Sequence, residues 1–225
     1  MKDKFYIFLD IDGTLWDYSF LRREKCFVYK LNPDSINAVN SLINRLEQKF
    51  NCELVITSQR RKDWDECKKI LIDSGLKYES ELKRTKINDS KPRGIKIAEY
   101  LDNDKKGREF SKHKTFNPII STIKARVVAR KMSNNYVVID DCMKPLVGII
   151  PSANIIKTSM SYESFNMKMA DEIIDRFVGE SVNEESNING VNENTNISEN
   201  VNDSSKKTNE SIITTEDVAG CDDVL

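Results

Sequence analysis

The sequence predicts an α/β fold built on a mainly parallel central sheet. Short apolar runs typical of buried strands alternate along the chain with amphipathic stretches typical of helices. Two of the apolar runs, 5–9 and 136–139, lead directly into acidic residues. Ligands of such sheets bind beyond the carboxyl ends of the strands. We therefore expect the functional residues to be the polar residues that follow the strands.

The first half of the chain contains two predicted strands and two predicted helices. Residues 5–9 are a continuous apolar run, which predicts a buried strand. Apolar side chains recur at helical spacing over 34–49, which predicts an amphipathic helix. Residues 53–57 are the second predicted strand, and a short helix over 64–71 is expected to end at Gly75 as its C-cap.

The second half continues the alternation. Residues 95–101 are predicted to be helical, and 136–139 form a third apolar strand. A last strand is expected over 153–157, followed by a closing helix over 167–177. The repeated strand–helix order predicts a mainly parallel sheet.

Charge divides the chain into a basic body and an acidic tail. The whole sequence has 35 Lys and Arg against 36 Asp and Glu, a formal net charge of -1. Residues 179–225 contain 2 basic and 11 acidic side chains, which leaves 33 basic and 25 acidic, or +8, for 1–178. The tail is rich in Asn, Ser and Glu and has no sustained period, so we expect it to be disordered. The body has the size of one domain.

Composition argues against several classes of protein. No window approaches the roughly 18 apolar residues of a membrane span, and the N-terminus leads straight into a predicted strand without a signal peptide. The five cysteines form no CxxC pair, and one histidine is too few for a zinc finger. We therefore expect an intracellular, cytoplasmic protein with free thiols and no membrane partner.

Acidic residues follow two predicted strands. Asp10 and Asp12 are two residues apart after the first strand, so on extended backbone their carboxylates point the same way. Gly13 permits a sharp turn after them. By itself this string also fits an ordinary Asp-Gly turn. Asp140 and Asp141 end another strand, however, and parallel neighbours would bring all four carboxylates to one edge, where hard oxygens suit Mg²⁺.

Phosphate-binding groups follow the other predicted elements. Thr57 and Ser58 end the second strand and offer hydroxyl and backbone donors. Lys91 lies just before a helix and can supply the positive charge that phosphoryl transfer needs. Arg93, two residues later, is the alternative source of this charge.

Four short motifs occur in a fixed order, and they are Asp10-Ile11-Asp12-Gly13-Thr14-Leu15, Thr57-Ser58, Lys91 and Asp140-Asp141. This set resembles the four motifs of the haloacid dehalogenase (HAD) superfamily and covers most of 1–177. The resemblance implies a HAD-like Rossmannoid three-layer sandwich. The stretches 54–61 and 91–101 look more narrowly like the small HAD domains found beside RNA-repair enzymes.

The resemblance also implies roles for individual residues. Asp10 would be the nucleophile, Asp12 the general acid and base, and Lys91 the neutralising cation. The residues implied to bind the phosphoryl group are Thr57, Ser58, Gly13 and Thr14. Those implied to bind Mg²⁺ are Asp10, Asp12, Asp140 and Asp141, with the direct ligand among the last two left open. An Asp at the second position, as here, is the pattern of phosphatases.

The segments between the motifs leave little room for a cap, so we expect an open catalytic edge that suits a large phosphorylated substrate. Nucleic-acid ends are the leading candidates. Arg60, Arg61 and Arg93 are candidate substrate contacts beside the motifs. The alternatives are a non-catalytic module that binds RNA or another polyanion, and a phosphatase of small metabolites or nucleotides.

A basic insertion supports the nucleic-acid interpretation. Residues 103–134 carry nine basic and two acidic side chains, with Phe110, His113 and Phe116 among them. Such a segment could track a phosphate backbone and stack bases. The alternative is a solvated surface helix, and the side chains expected to form its buried face are Ile119, Ile120, Ile123 and Val127.

Overall fold

The computed structural model describes residues 2–25, 30–87, 90–105 and 118–179. Five parallel strands form one sheet in the order β3-β2-β1-β4-β5. The strands are β1 (Lys4–Leu9), β2 (Asn51–Ile56), β3 (Lys83–Arg84), β4 (Tyr136–Asp140) and β5 (Ile155–Lys157). The predicted α/β fold with a parallel sheet is confirmed.

Helices cover both faces of the sheet. They are α1 (Tyr18–Arg23), α2 (Pro33–Lys49), α3 (Trp64–Asp73), α4 (Arg93–Lys105), α5 (Pro118–Lys131) and α6 (Met167–Phe177). Side chains of β1 alternate between two hydrophobic cores, with Phe5 and Ile7 facing α2, α3 and α6, and Tyr6 and Phe8 facing α4 and α5. The result is a three-layer sandwich, as the motif resemblance implied.

The predicted elements agree closely with the observed ones, and two short elements were missed. The helix expected over 34–49 is Pro33–Lys49, which begins at the N-cap Asn32. The missed elements are α1 and β3. Six residues are too few to show a helical period, and a two-residue charged strand has no apolar run. Among the described residues, no helix has the length and apolarity needed to cross a bilayer.

The predicted buried face of α5 is wrong. Ile123 and Val127 are 56% and 61% exposed, and Ile119 and Ile120 are also exposed. Ala125 and Ala129 are the buried residues of this helix, which packs on α4. Small side chains let two helices approach closely, so packing selected the alanine face even though the isoleucine face is more hydrophobic.

Parts of two predictions lie outside the described residues. They include the tail from 180 onward and residues 106–117 of the basic insertion, with Phe110, His113 and Phe116. The insertion's basic residues in α5 are described, and they are Lys124, Arg126, Arg130 and Lys131.

The strand order reverses between β1 and β4. The chain proceeds from β1 outward to β2 and β3, and then returns across the α4 face to β4 and β5. In open α/β sheets a crevice forms at this switch point, beyond the carboxyl ends of the strands. β1 ends at Leu9, just before Asp10, and β4 ends at Asp140.

Candidate active site

One row of residues continues the register of four strands at their carboxyl ends. Leu9 pairs with Ile56 and with Ile139, and Ile56 pairs with Arg84. The ladder extends one residue further, through hydrogen bonds from Asp10 N to Ile139 O (3.0 Å), Thr57 N to Leu9 O (2.9 Å) and Thr85 N to Ile56 O (3.1 Å).

In sheet order, the members of this strand-end row are Thr85, Thr57, Asp10 and Asp140. The two-residue period of a strand assigns them to the same face as Tyr6, Phe8 and Val55, which is the face that α4 covers.

Three carboxylates meet at the switch point. One oxygen from each of Asp10, Asp140 and Asp141 lies within 4.8 Å of the others. Asp10 and Asp140 are buried and Asp141 is partly buried. Three carboxylate oxygens at this spacing are suitable ligands for a hard divalent cation.

Gly13 makes room for this group. Its φ is +73°, and a Cβ at this position would lie 2.1 Å from Asp141 Oδ2. Only a residue without a side chain permits both the left-handed backbone and the close approach of the carboxylate. The three acids and the glycine therefore fit a bound metal ion.

Burial makes Asp140 and Asp141 unfavourable as free carboxylates. It raises the pKa of Asp140 to about 7, with the charge of Asp10 acting in the same direction. Burial and then Asp10 likewise raise the pKa of Asp141 to about 6. In both cases Arg93 opposes the shift. A cation bound among these groups would favour their ionised forms, because metal ligation requires deprotonated carboxylates.

Arg93, rather than Lys91, reaches the acids. Its Nη1 lies 3.1 Å from Asp10 Oδ2 and also donates to Asp140 Oδ2. Arg93 is the first residue of α4, so the helix start carries it over the strand ends. Lys91 Nζ donates to Glu99 Oε1 at 2.5 Å, further along the same helix. Of the two cations considered from the sequence, the structure brings Arg93 to the acid group.

The carboxylate of Asp12 is not a member of the three-acid group. It accepts from Arg60 Nε (2.7 Å), Trp16 Nε1 (3.2 Å) and Ser58 Oγ (3.4 Å). The expectation that Asp10 and Asp12 point the same way assumed extended backbone. The chain instead turns after Ile11, whose carbonyl accepts from the backbone N–H groups two and three residues beyond Asp12.

The predicted phosphate-binding hydroxyls have different surroundings. Thr57 Oγ1 is buried and has no hydrogen-bond partner, whereas Thr14 Oγ1 pairs with Thr158 Oγ1 at 3.0 Å. Ser58 Oγ accepts from Arg60 N (3.2 Å) and caps a short 3-10 helix. A buried hydroxyl without a partner costs about 1–3 kcal/mol, so Thr57 is the hydroxyl best suited to a phosphoryl oxygen.

The structure does not support the prediction that Arg61 contacts substrate. Arg61 is buried, with 2% exposure. Its guanidinium donates to the backbone carbonyls of Thr57 (2.6 Å), Ser58, Thr85 (3.2 Å) and Lys86 (3.3 Å). The rigid fork of donors makes arginine suited to joining several carbonyls. Arg61 therefore ties the end of β2 to the end of β3.

The roles of three residues were missed from the sequence. Trp16 is buried, and its indole also orients Asp12, a contact that no motif indicated. Arg61 gave no sign of its backbone contacts. Thr85 follows a strand that the pattern did not show, so nothing in the sequence marked it.

Comparison with known proteins agrees with the geometry. The family model described as "HAD domain in Swiss Army Knife RNA repair proteins" matches residues 6–163. Searches of curated proteins and of solved structures each returned no significant match. The matched range covers most of the chain, all five strands except the first two residues of β1, and every motif residue described above. The chain therefore belongs to the family of HAD domains in Swiss Army Knife RNA repair proteins.

Proposed function

We propose that this chain is a magnesium-dependent phosphomonoester hydrolase that acts through an aspartyl-phosphate at Asp10. The observation that supports this most is the three-acid group at the switch point, next to the unpaired hydroxyl of Thr57 on the neighbouring strand. Family membership supports a hydrolase of the phosphatase type. A nucleophile, a metal site and a hydroxyl for the phosphoryl group thus lie side by side.

The proposed reaction has two displacements at phosphorus. A carboxylate oxygen of Asp10 attacks, the bond to the leaving oxygen breaks, and Asp12 gives that oxygen a proton. Asp12 then takes a proton from water, whose oxygen attacks the same phosphorus. Inorganic phosphate leaves, and the Asp10 carboxylate is restored. Trp16 and Arg60 would keep Asp12 in position, since each donates to its Oδ1.

Asp10, Asp140 and Asp141 would hold the magnesium ion. When bound, Mg²⁺ supplies positive charge that offsets the charge on the phosphoryl oxygens. Arg93 would place a protein cation at the reacting group, through its contacts with Asp10 and Asp140. Thr57 would donate its hydroxyl to a phosphoryl oxygen.

The proposed substrate is a phosphorylated nucleic-acid end. The family name refers to RNA repair proteins, and the basic residues of α5 give the domain a positive surface. The described segments between the strands contain the helices of the sandwich and no second sheet that could close over the site. A large substrate would therefore meet few obstacles.

The nucleophile is tested with Asp10→Asn. We expect this variant to lose magnesium-dependent release of phosphate from an aryl phosphate by at least about a thousandfold, while circular dichroism shows an unchanged fold. Asp65→Asn is the matched control, because Asp65 is highly exposed and pairs only locally with Lys68 among its described contacts. Magnesium binding, measured by calorimetry, is expected to weaken in Asp10→Asn and not in the control.

Full activity of Asp10→Asn would show that the nucleophile is misassigned. If the wild type hydrolyses no phosphomonoester, the alternative of a module that only binds RNA or another polyanion is favoured. The substrate class is tested separately, by measuring the binding of a phosphorylated oligonucleotide and of a free nucleotide across a salt series. Binding of a nucleic acid weakens steeply with salt because phosphate contacts release counterions. A flat response, or a preference for the free nucleotide, would favour a small-molecule phosphatase.

A further inference from the structure

Two buried hydroxyls without partners lie next to each other at the strand ends. Among the described residues, the buried side-chain nitrogen and oxygen atoms that lack a hydrogen-bond partner are Thr57 Oγ1 and Thr85 Oγ1. Both residues are fully buried. Buried polar groups in native proteins are nearly always paired, so each exception calls for an explanation. The role proposed for Thr57 leaves Thr85 unexplained.

The register makes the two threonines direct neighbours. β2 and β3 pair Val55 with Lys83 and Ile56 with Arg84, and Thr57 and Thr85 follow in the same register. The bond from Thr85 N to Ile56 O (3.1 Å) holds this arrangement. Adjacent strands are about 4.8 Å apart. A phosphate between Asp10 and Thr57 would thus have Thr85 one strand further along the same edge.

Arg61 joins Thr57 and Thr85 through their backbone carbonyl groups. It donates to the carbonyl oxygens of Thr57 (2.6 Å) and Thr85 (3.2 Å), and also to those of Ser58 and Lys86. The guanidinium joins the two strand ends and places a buried positive charge at the backbone of both threonines. This charge favours an anion over a neutral ligand at the Thr85 position.

Further positive charge lies at the Thr85 end of the row. Lys86 follows Thr85 directly in the chain. Lys91 is close enough to Lys86 to affect the pKa of its ammonium group. Burial lowers the pKa of Lys86, the Glu99 carboxylate opposes this change, and the ammonium of Lys91 adds to it. Lys91 and Glu99 pair with each other at 2.5 Å, so the sum of these three charges is positive at this end of the row.

We propose that Thr85 binds a second phosphate of the substrate, beside the phosphate that reacts at Asp10 and Thr57. The proposal rests on the proposed function and narrows its substrate to molecules with two neighbouring phosphates. A terminal phosphomonoester next to a phosphodiester has this arrangement, and so does a nucleoside bisphosphate. Since both hydroxyl oxygens are covered by protein atoms, binding requires side chains on the α4 face of the row to move.

The first test measures binding without turnover. In the Asp10→Asn protein, at a Mg²⁺ concentration high enough to fill its weakened metal site, adenosine 3′,5′-bisphosphate should bind about tenfold more tightly than adenosine 5′-monophosphate. Adding Thr85→Val removes the hydroxyl while keeping the shape of the side chain, and should remove most of that tenfold difference, which is about 1.4 kcal/mol. Thr122→Val is the matched control, because its hydroxyl donates to Pro118 O within α5 (2.7 Å).

The second test measures turnover and identifies the source of the second phosphate. The substrates are an aryl phosphate, a trinucleotide with a terminal phosphate, and the same trinucleotide with an uncharged methylphosphonate at its first linkage. Thr85→Val should lower kcat/KM for the charged trinucleotide about tenfold relative to that for the aryl phosphate. The methylphosphonate should produce a similar loss in the wild type and little further loss in the variant.

The outcomes are distinct. The second phosphate site is refuted if Thr85→Val changes neither the affinity ratio of bisphosphate to monophosphate nor the kcat/KM ratio of charged trinucleotide to aryl phosphate. It is also refuted if the variant lowers activity equally on every substrate. If the bisphosphate depends on Thr85 but the methylphosphonate has no effect, the site is supported and its second phosphate belongs to a free nucleotide. A wild type without any phosphatase activity would refute the proposed function alone, because the binding comparison does not require turnover.

Discussion

At the scale of single residues, the site depends on positions where one atom more or less changes the geometry. Gly13 combines a left-handed backbone with direct approach by the Asp141 carboxylate. Arg93 joins two buried acids that would otherwise repel each other. Each of these features can be tested against a matched residue in the same chain.

Gly13→Ala is expected to lower the free energy of unfolding by about 1–3 kcal/mol and to weaken magnesium binding. The new Cβ would strain the backbone and displace Asp141. Gly75→Ala is the control, because its φ is +94° but nothing lies within 4 Å of the added Cβ. Chemical denaturation and calorimetry should show a stability loss in both variants and a loss of metal affinity only in Gly13→Ala. Equal metal affinity in the two variants would contradict the proposed crowding.

Arg93→Met is expected to destabilise the protein by about 3–5 kcal/mol in the presence of a chelator, because it leaves Asp10 and Asp140 buried without their cation. Mg²⁺ should restore a large part of this loss. Lys91→Met is the comparison, since Lys91 pairs with the less buried Glu99 and should lose at most about 1 kcal/mol. Thermal unfolding with and without Mg²⁺ measures both. A larger loss of stability in Lys91→Met than in Arg93→Met would mean that Lys91, rather than Arg93, neutralises the acids.

At the scale of elements, α5 shows how packing can override hydrophobic pattern. Its isoleucines look like a core face in the sequence, but its alanines meet α4. The positions of the motif residues could be predicted from the sequence, in contrast to the buried face of α5. These residues lie at strand ends whose register is fixed by continuous backbone pairing.

Ala129→Leu is therefore expected to destabilise the domain by about 1–3 kcal/mol through overpacking between α4 and α5. Ile123→Ser, on the exposed face, should change stability by less than about 0.5 kcal/mol. Urea denaturation of the two variants measures the difference. The opposite ranking would mean that α5 turns its isoleucine face inward, as its sequence suggested.

At the scale of the whole molecule, one sheet joins two hydrophobic cores. Both tryptophans, Trp16 and Trp64, lie on the α2 face, whereas Leu101 lies on the α4 face. The sheet contributes side chains to each core from the same strands. Unfolding of one layer would expose the sheet and remove the support of the other, so the described domain should unfold as one unit.

Leu101→Ala is expected to lower stability by about 2–5 kcal/mol and to shift the tryptophan fluorescence transition, although both reporters lie on the opposite face. Leu42→Ala, in the other core, should lower stability by a similar amount. The two losses should add within about 0.5 kcal/mol in the double variant. Fluorescence and far-ultraviolet circular dichroism should give the same midpoint. Separate transitions would show that the layers unfold independently.

The amino-acid pattern alone was enough to predict the strands and helices other than α1 and β3, the parallel sheet, and the positions of the acidic motifs. These follow from local periodicity, because a buried strand must be apolar and a helix on a sheet must be amphipathic. Since parallel strands present their carboxyl ends at one edge, the meeting of Asp10 with Asp140 and Asp141 could also be foreseen. The motif pattern led to the family that the match over 6–163 confirms.

The contacts between side chains at the strand ends depend on the packing of the whole domain and could not be predicted in this way. That packing brought Arg93 to the acids, turned Asp12 toward Arg60 and Trp16, buried Arg61 among backbone carbonyls, and placed Thr85 beside Thr57. These contacts join segments that are far apart in the chain or lie within turns. Periodicity describes which face of an element is apolar, but it carries no information about the distance or direction between side chains of different elements.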